Sequence, residues 1–375
     1  MGINPNIKDL NAVGQSVWYD NLSRDVLRSG ELAGLIEQGV SGLTSNPTIF
    51  KLAIADTGNY DADMRELAQQ GMGKEEICEE LMIRDVAAAA DLLRPVFDAT
   101  KGADGHASIE VSPYLANDTK GTVEAALRLW GKLDRPNVMI KIPATEAGLP
   151  AIKQALEAGL NVNITLIFSI AYHERVMEAY LSGLEARAAA GHSLAGISSV
   201  ASFFVSRVDS ICEKKLDELI KAGKATENDK ASMLGKIGIA NSRLAYQRYL
   251  EIFGQERFLK LKQKGARVQR PLWASTGTKN PAFSPVLYVE ELAGMDTVNT
   301  VPPQTLKALM QKAHIENRLI TQLAESRGLI TNISKFGVDF DAALVELQQQ
   351  GVKSFSESYR ELLDSIGQKL ATLKS

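Results

Sequence analysis

Short apolar runs alternate with longer amphipathic stretches along nearly the whole 375-residue chain. The apolar runs predict strands near residues 15–20, 40–46, 107–112, 137–142, 161–168, 195–202, 268–275 and 297–301. Each is short and rich in β-branched or aromatic residues, which suit a buried pleated backbone. The segments between them have helix length. In 119–130, Thr119 stands where a capping residue belongs, and Val123, Leu127 and Trp130 fall on one helical face. Segments 150–156 and 171–190 read the same way. Strand–helix alternation of this kind builds βα units around a parallel sheet. Eight such units predict the α/β class and a (β/α)8 TIM barrel, for which about 250 residues suffice.

The surplus length falls in definite places. A helical insertion of about 51–104 follows the second strand, with Ile77, Leu81, Val86, Leu93 and Phe97 at near-helical spacing. A second helical connection covers 204–265. A C-terminal helical extension of about 335–375 repeats Val352, Phe355, Tyr359, Leu362, Ile366 and Leu370 every three or four residues, which predicts one amphipathic helix packed on the barrel. With no low-complexity linker or break in the rhythm, residues 1–375 read as a single domain.

Alternation within the strands separates barrel-facing from helix-facing positions. In Val138-Met-Ile-Lys-Ile142, the branched residues Val138, Ile140 and Ile142 take the helix-facing side, so Met139 and Lys141 point inward. In 161–168, Val162, Ile164, Leu166 and Phe168 are expected outward, with Asn161, Asn163 and Thr165 inward. In 108–112, Ile109 and Val111 face out, and Ser108, Glu110 and Ser112 face in. Asp20 ends the first strand and Asn46 the second. Five strands therefore aim polar groups inward near their C-terminal ends, where barrel enzymes carry their active sites. Taken alone, Lys141 is better explained as half of a core ion pair. Several unpaired buried polar groups are not, since each costs about 1–3 kcal/mol.

Composition narrows the classes. The chain is 45% hydrophobic and 23% charged with a net charge of -3, as expected of a soluble globular protein and unlike a nucleic-acid binder. No apolar run reaches membrane-spanning length, and the N-terminus lacks an apolar signal core. Two cysteines fit a reducing cytoplasm rather than a disulfide framework. The four histidines do not pair at metal-ligand spacing, and neither a P-loop nor a dinucleotide fingerprint is present, so no metal and no cofactor are expected.

The inward set suggests imine chemistry. An unprotonated lysine amine attacks carbonyl carbon. Asp20 and Glu110, on different strands, can divide the base and acid roles if their environments differ. Thr165 and Asn46 suit the holding of a water and of substrate hydroxyls. After the sixth and seventh strands, Ser202 with Arg207 and Ser275 with Lys279 offer hydroxyls and cations of the kind that hold a phosphate.

Trp18-Tyr-Asp-Asn-Leu22, Thr44-Ser-Asn-Pro-Thr48, Ser108-Ile-Glu-Val-Ser112, the Lys141 strand and Asn163-Ile-Thr-Leu-Ile-Phe-Ser169 together resemble the transaldolase family, in order and across the whole barrel. The insertion and Trp273-Ala-Ser-Thr-Gly-Thr-Lys-Asn-Pro281 are most similar to the longer bacterial members. The resemblance implies a class I aldol mechanism in the pentose phosphate pathway. A dihydroxyacetone unit passes from sedoheptulose 7-phosphate to glyceraldehyde 3-phosphate, giving erythrose 4-phosphate and fructose 6-phosphate. It implies Lys141 as the Schiff-base nucleophile, Asp20 as the base at the C4 hydroxyl, and Glu110 with Thr165 and a water at the carbinolamine. It further implies Asn46, Asn163 and Ser202 around the retained three-carbon unit, Arg207 on the phosphate, and a C-terminal helix over the active-site end. Shorter members carry a second basic residue after strand seven; here Lys279 is the candidate. The expected partners are small-molecule sugar phosphates, with no nucleic acid and no membrane, for a cytoplasmic monomer or homodimer. Two other readings compete. A fructose 6-phosphate aldolase-like lyase would release dihydroxyacetone, but such relatives tend to have tyrosine where this chain has Phe204. A non-catalytic sugar-phosphate binding protein would not need Lys141, Asp20 and Glu110 together.

Overall fold

The structure, a computed structural model, describes residues 2–55 and 57–373. Eight parallel strands close into a barrel in sequence order: β1 (Gln15–Tyr19), β2 (Gly42–Leu43), β3 (His106–Glu110), β4 (Val138–Pro143), β5 (Val162–Ile167), β6 (Ser199–Phe204), β7 (Arg270–Ala274) and β8 (Thr297–Val301). β8 pairs back onto β1, with Ser16 opposite Val298 and Trp18 opposite Thr300. Closure leaves no free sheet edge.

The strands separate two apolar layers. Val138, Ile140 and Ile142 join Ile109 and Val111 in the layer between sheet and helices. Trp18, Met139, Val200, Leu272 and Val298 fill the barrel interior. The alternation expected for β3 and β4 is therefore the one observed. In β5 it holds only as far as Thr165. Leu166 has a left-handed backbone (φ 60°), and the register with β6 shifts between Ile164 and Ile167. Past that irregularity the faces exchange. Ile167 turns to the helices, while Leu166 and Phe168, expected outward, pack with the interior layer. Such a bulge re-aims side chains next to a site.

Three further expectations are corrected. β6 begins at Ser199 rather than 195, because Gly196 (φ 90°) turns the chain first. β2 is two residues long; beyond it the Ser45 carbonyl accepts from Lys141 Nζ and the Asn46 carbonyl from the Phe50 amide, so neither extends the ladder. The helix expected from 119 runs Thr119–Leu133, but Asp118 caps it, accepting from the Gly121 amide at 3.0 Å. Its buried face is Thr122, Ala125, Ala126, Leu129 and Leu133, whereas Leu127 is 44% exposed and Val123 and Trp130 are only half-buried. Small alanines let the helix approach its neighbours closely, and that contact outweighs the larger side chains on the other face.

The insertion forms helices Pro47–Ala55, Asp61–Gln69 and Lys74–Ala99 between β2 and β3. The C-terminal helix, Phe340–Leu373, packs along Pro47–Ala55 and buries Phe355, Tyr359, Leu362 and Ile366. It also reaches the barrel mouth. Gln348 Nε2 donates to Ala144 O at 2.8 Å, and Gly351 passes so close to Leu166 that a Cβ there would lie 2.8 Å from Leu166 Cδ2. No helix among the described residues is long and apolar enough to cross a membrane.

Candidate active site

A cavity of about 230 Å³ opens at the C-terminal end of the strands. Its lining combines Asp20 after β1, Asn46 after β2, Lys141 on β4, Thr165 on β5, Ser202 and Phe204 on β6, Arg207 beyond it, and Ser275 and Lys279 beyond β7. Nine of the eleven residues singled out in the sequence thus meet on one wall system. Glu110 and Asn163 lie just outside it, each touching a member.

Lys141 is 5% exposed. Its Nζ donates to Ser45 O at 3.2 Å and stands 3.5 Å from Glu110 Oε2, over the ring of Phe355 at 6.0 Å. The 3.5 Å separation is long for a charge-assisted hydrogen bond, so the pair is loose. Glu110 is buried, and burial pushes its carboxyl up from 4.5 to about 7, against the attraction of Lys141. It therefore holds or releases a proton near neutral pH, as a general acid–base group should. Its Oε2 and the hydroxyl of Thr165 are both buried without a hydrogen-bond partner among the described residues. Two unmatched polar atoms beside a lysine amine suit a reacting group or a water, not packing.

Asp20 is fixed by Thr44, whose Oγ1 donates to Oδ1 at 2.7 Å. Burial raises its carboxyl above the usual range, and Lys141, Thr44, Arg207 and Lys279 pull the other way. The result is a carboxylate with enhanced basicity facing Lys141, Arg207 and Lys279. Asn163 is fully buried. Its Nδ2 donates to Ser108 Oγ at 3.1 Å and its Oδ1 accepts from Ser202 Oγ at 2.7 Å. This chain of side chains crosses the barrel from β3 to β6 beneath the cavity and sets the Ser202 hydroxyl. Asn46 also has structural work, since its Oδ1 accepts from the Ile49 amide at 3.0 Å and holds the first turn of helix Pro47–Ala55.

Arg207 is the second residue of helix Ser206–Lys221, whose N-terminus carries no side-chain cap. Its guanidinium lies over the Phe204 ring at 5.1 Å, and burial lowers its pKa while Asp20 raises it. Lys279 approaches from the loop after β7. Among the described residues neither has a carboxylate within ion-pair distance, although most Arg side chains of the chain do. Ser275 has a left-handed backbone (φ 57°), and its Oγ meets Ser206 Oγ at 2.9 Å, tying the two loops together. Unpaired cations, hydroxyls and an uncapped helix N-terminus are the elements from which anion sites are built.

Thr44, Ser45, Thr300 and Phe355 also build this site. Thr44 and Ser45 lie in the segment Thr44-Ser-Asn-Pro-Thr48, which signalled them. Phe355 looked like one more apolar position on an amphipathic helix, and nothing in the spacing marks it as the residue that faces Lys141. Among the described residues there is no group of His, Cys, Asp and Glu that could hold a metal ion.

Comparison with known proteins agrees with the geometry. The transaldolase/fructose-6-phosphate aldolase family model matches residues 17–366. A transaldolase of Mycolicibacterium smegmatis is 46% identical over 376 aligned positions, covering all of both chains. That of Saccharopolyspora erythraea is likewise 46% identical over all of both chains. Transaldolase 2 of Nostoc punctiforme is 44% identical over 97% of each.

Proposed function

Because the chain belongs to the transaldolase/fructose-6-phosphate aldolase family, we propose that it moves a dihydroxyacetone unit between sugar phosphates through a Schiff base on Lys141. The donor is sedoheptulose 7-phosphate and the acceptor glyceraldehyde 3-phosphate, giving erythrose 4-phosphate and fructose 6-phosphate within the pentose phosphate pathway. The observation that carries the reading is the meeting, in one cavity of about 230 Å³, of an amine, a carboxyl and two unpaired cations: Lys141, Asp20, Arg207 and Lys279.

Lys141 Nζ adds to the C2 carbonyl of the ketose. The C–N bond forms, the carbonyl oxygen takes up a proton, and the nitrogen loses one. Glu110 delivers a proton to the departing hydroxyl, and water leaves to give the iminium. A carboxyl titrating near 7 and 3.5 Å from the amine supports that role, and Thr165 supports it by holding the water. Asp20 then takes the proton of the C4 hydroxyl. The C3–C4 electrons flow into the iminium, the aldose phosphate departs, and an enamine remains on Lys141. Asn46, Ser202 and, behind it, Asn163 hold the retained hydroxyls. The acceptor aldehyde enters, C3 attacks it, Asp20 returns its proton, and hydrolysis frees the new ketose phosphate. Arg207, Lys279 and the Ser275 hydroxyl bind the phosphate, whose position fixes the carbon chain relative to Nζ.

Phe204 favours transfer over release. It presents a ring without a hydroxyl to the cavity, so it cannot position water against the enamine or imine. We read residues 1–375 as one catalytic unit in the cytoplasm, without a nucleic-acid partner. The buried free thiols of Cys78 and Cys212 and the net charge of -3 support this. The test is formation of erythrose 4-phosphate from sedoheptulose 7-phosphate with and without glyceraldehyde 3-phosphate. A transferase needs the acceptor for turnover beyond one equivalent; turnover without it, with free dihydroxyacetone, would show a lyase.

A further inference from the structure

Asp209 is a buried carboxylate that the reaction does not use. It is 3% exposed, and among the described residues no cation stands within ion-pair distance of it. Both of its oxygens instead accept from other segments. Oδ1 accepts from the Gly238 amide at 2.8 Å, in the first turn of helix Ile237–Phe253. Oδ2 accepts from the Tyr288 hydroxyl at 2.7 Å, in helix Leu287–Glu291. Burial pushes the carboxyl up from 3.8 to about 6, with these two donors pulling the other way, so it is mostly ionised at neutral pH. Helix Ile237–Phe253 comes so close here that a Cβ on Gly238 would lie 2.6 Å from Val205 O. A buried carboxylate without a cation is costly. Its two donors therefore call for a reason beyond the capping of its own helix.

That reason lies in the segment between β7 and helix Leu287–Glu291, which carries Ser275 and Lys279. Its near end is tied to Ser206. The Ser206 amide donates to Ser275 O at 3.1 Å, and the two hydroxyls meet at 2.9 Å. Its far end is tied to Asp209 through Tyr288. Between the ties the chain folds on itself. The Phe283 amide donates to Asn280 O at 3.1 Å, and the Leu287 amide to Ser284 O at 3.1 Å. Movement of Tyr288 is thus passed along consecutive turns to Lys279. Ser206, Arg207 and Asp209 share one helical turn. The turn that carries one cation of the cavity holds both ends of the segment that carries the other.

We propose that Asp209, through Tyr288, is a positioning residue that sets Lys279 against Arg207 and so fixes the spacing at which the substrate phosphate is held. Neither Asp209 nor Tyr288 touches substrate. The inference rests on the phosphate reading of Arg207 and Lys279 given above and adds the device that holds the two in place. Because the donors to Asp209 are neutral, the clamp brings no further charge to compete for the phosphate.

Steady-state kinetics of Tyr288→Phe, which keeps the ring and removes only the hydroxyl, test it. KM for fructose 6-phosphate should rise at least about fivefold while kcat stays within about twofold of native, the pattern of lost binding rather than lost chemistry. KM for unphosphorylated dihydroxyacetone as donor should not change. Asp209→Asn, which keeps the volume and loses one acceptor, should show the same split. In Lys279→Ala/Tyr288→Phe, KM for fructose 6-phosphate should lie within about twofold of that in Lys279→Ala alone, because the clamp acts through the lysine. Effects that multiply in that double variant, or equal losses with dihydroxyacetone, would make the contact a general support of the fold and overturn the proposal. A native KM for fructose 6-phosphate in both Tyr288→Phe and Asp209→Asn would overturn it too. A native KM in Lys279→Ala would remove the phosphate role of that lysine, and the clamp with it.

Discussion

Replacing Glu110 with glutamine separates what its carboxyl does for the reaction from what it does to the fold. Burial raises that carboxyl from 4.5 to about 7 in the native protein, while the unfolded chain keeps the ordinary value. As pH rises, the unfolded state releases its proton first. The stability tied to this group is therefore full below about pH 4.5 and is lost as pH climbs through 7. A rise from 4.5 to about 7, at roughly 1.36 kcal/mol for each pH unit, amounts to about 3 kcal/mol. Glutamine has nearly the same shape and no such proton. The unfolding free energy of Glu110→Gln minus that of the native chain should thus grow by about 3 kcal/mol between pH 4.5 and neutrality and then level off. Paired denaturant titrations across that range, with equal m-values as a check on the unfolded state, measure it. In the mechanism proposed above the same variant loses the proton donor for carbinolamine breakdown, so kcat should fall by about 10²–10⁴-fold. Stability curves that stay parallel from acid to neutral pH would refute the reasoning that burial holds the proton on Glu110. A kcat within twofold of native would refute its part in the chemistry.

Asp20→Ala should still form the imine with fructose 6-phosphate but cleave C3–C4 at least about 10²-fold more slowly, as quenched single turnovers can read; normal cleavage would make Asp20 structural. Arg207→Ala and Lys279→Ala each remove a charged contact worth about 1.5–3 kcal/mol, so KM for phosphorylated ketoses should rise roughly tenfold or more. Equal losses with unphosphorylated dihydroxyacetone would argue against a phosphate role for either residue. Phe204→Tyr places a hydroxyl beside the enamine and should increase dihydroxyacetone release from fructose 6-phosphate without acceptor. No increase would remove Phe204 from the account of transfer specificity.

Alternation placed Lys141 and Glu110 correctly because β3 and β4 are regular and their branched residues mark one face clearly, and Asn163 because it precedes the irregularity in β5. It misplaced Leu166 and Phe168 because a single left-handed residue exchanges the faces, and Leu166 carries no local signal for that conformation. The helix Thr119–Leu133 had two apolar faces to choose from, and close packing selected the one rich in alanine. The same limit hid Phe355. Helical spacing shows that a side chain is buried, but only the path of the last helix across the barrel mouth decides that it is buried against the Lys141 amine. Asn163 illustrates a different gap. Its direction was legible, whereas its engagement with Ser108 and Ser202 depends on three strands meeting in register.

The central claim is that Lys141 is the amine that carries the three-carbon unit, and borohydride reduction in the presence of fructose 6-phosphate tests it most directly. The native chain should gain the mass of one reduced dihydroxyacetone adduct, mapped by peptide analysis to Lys141, and Lys141→Arg should gain none while remaining folded. An adduct that persists in Lys141→Arg, or one that maps to another lysine in the native chain, would contradict the account.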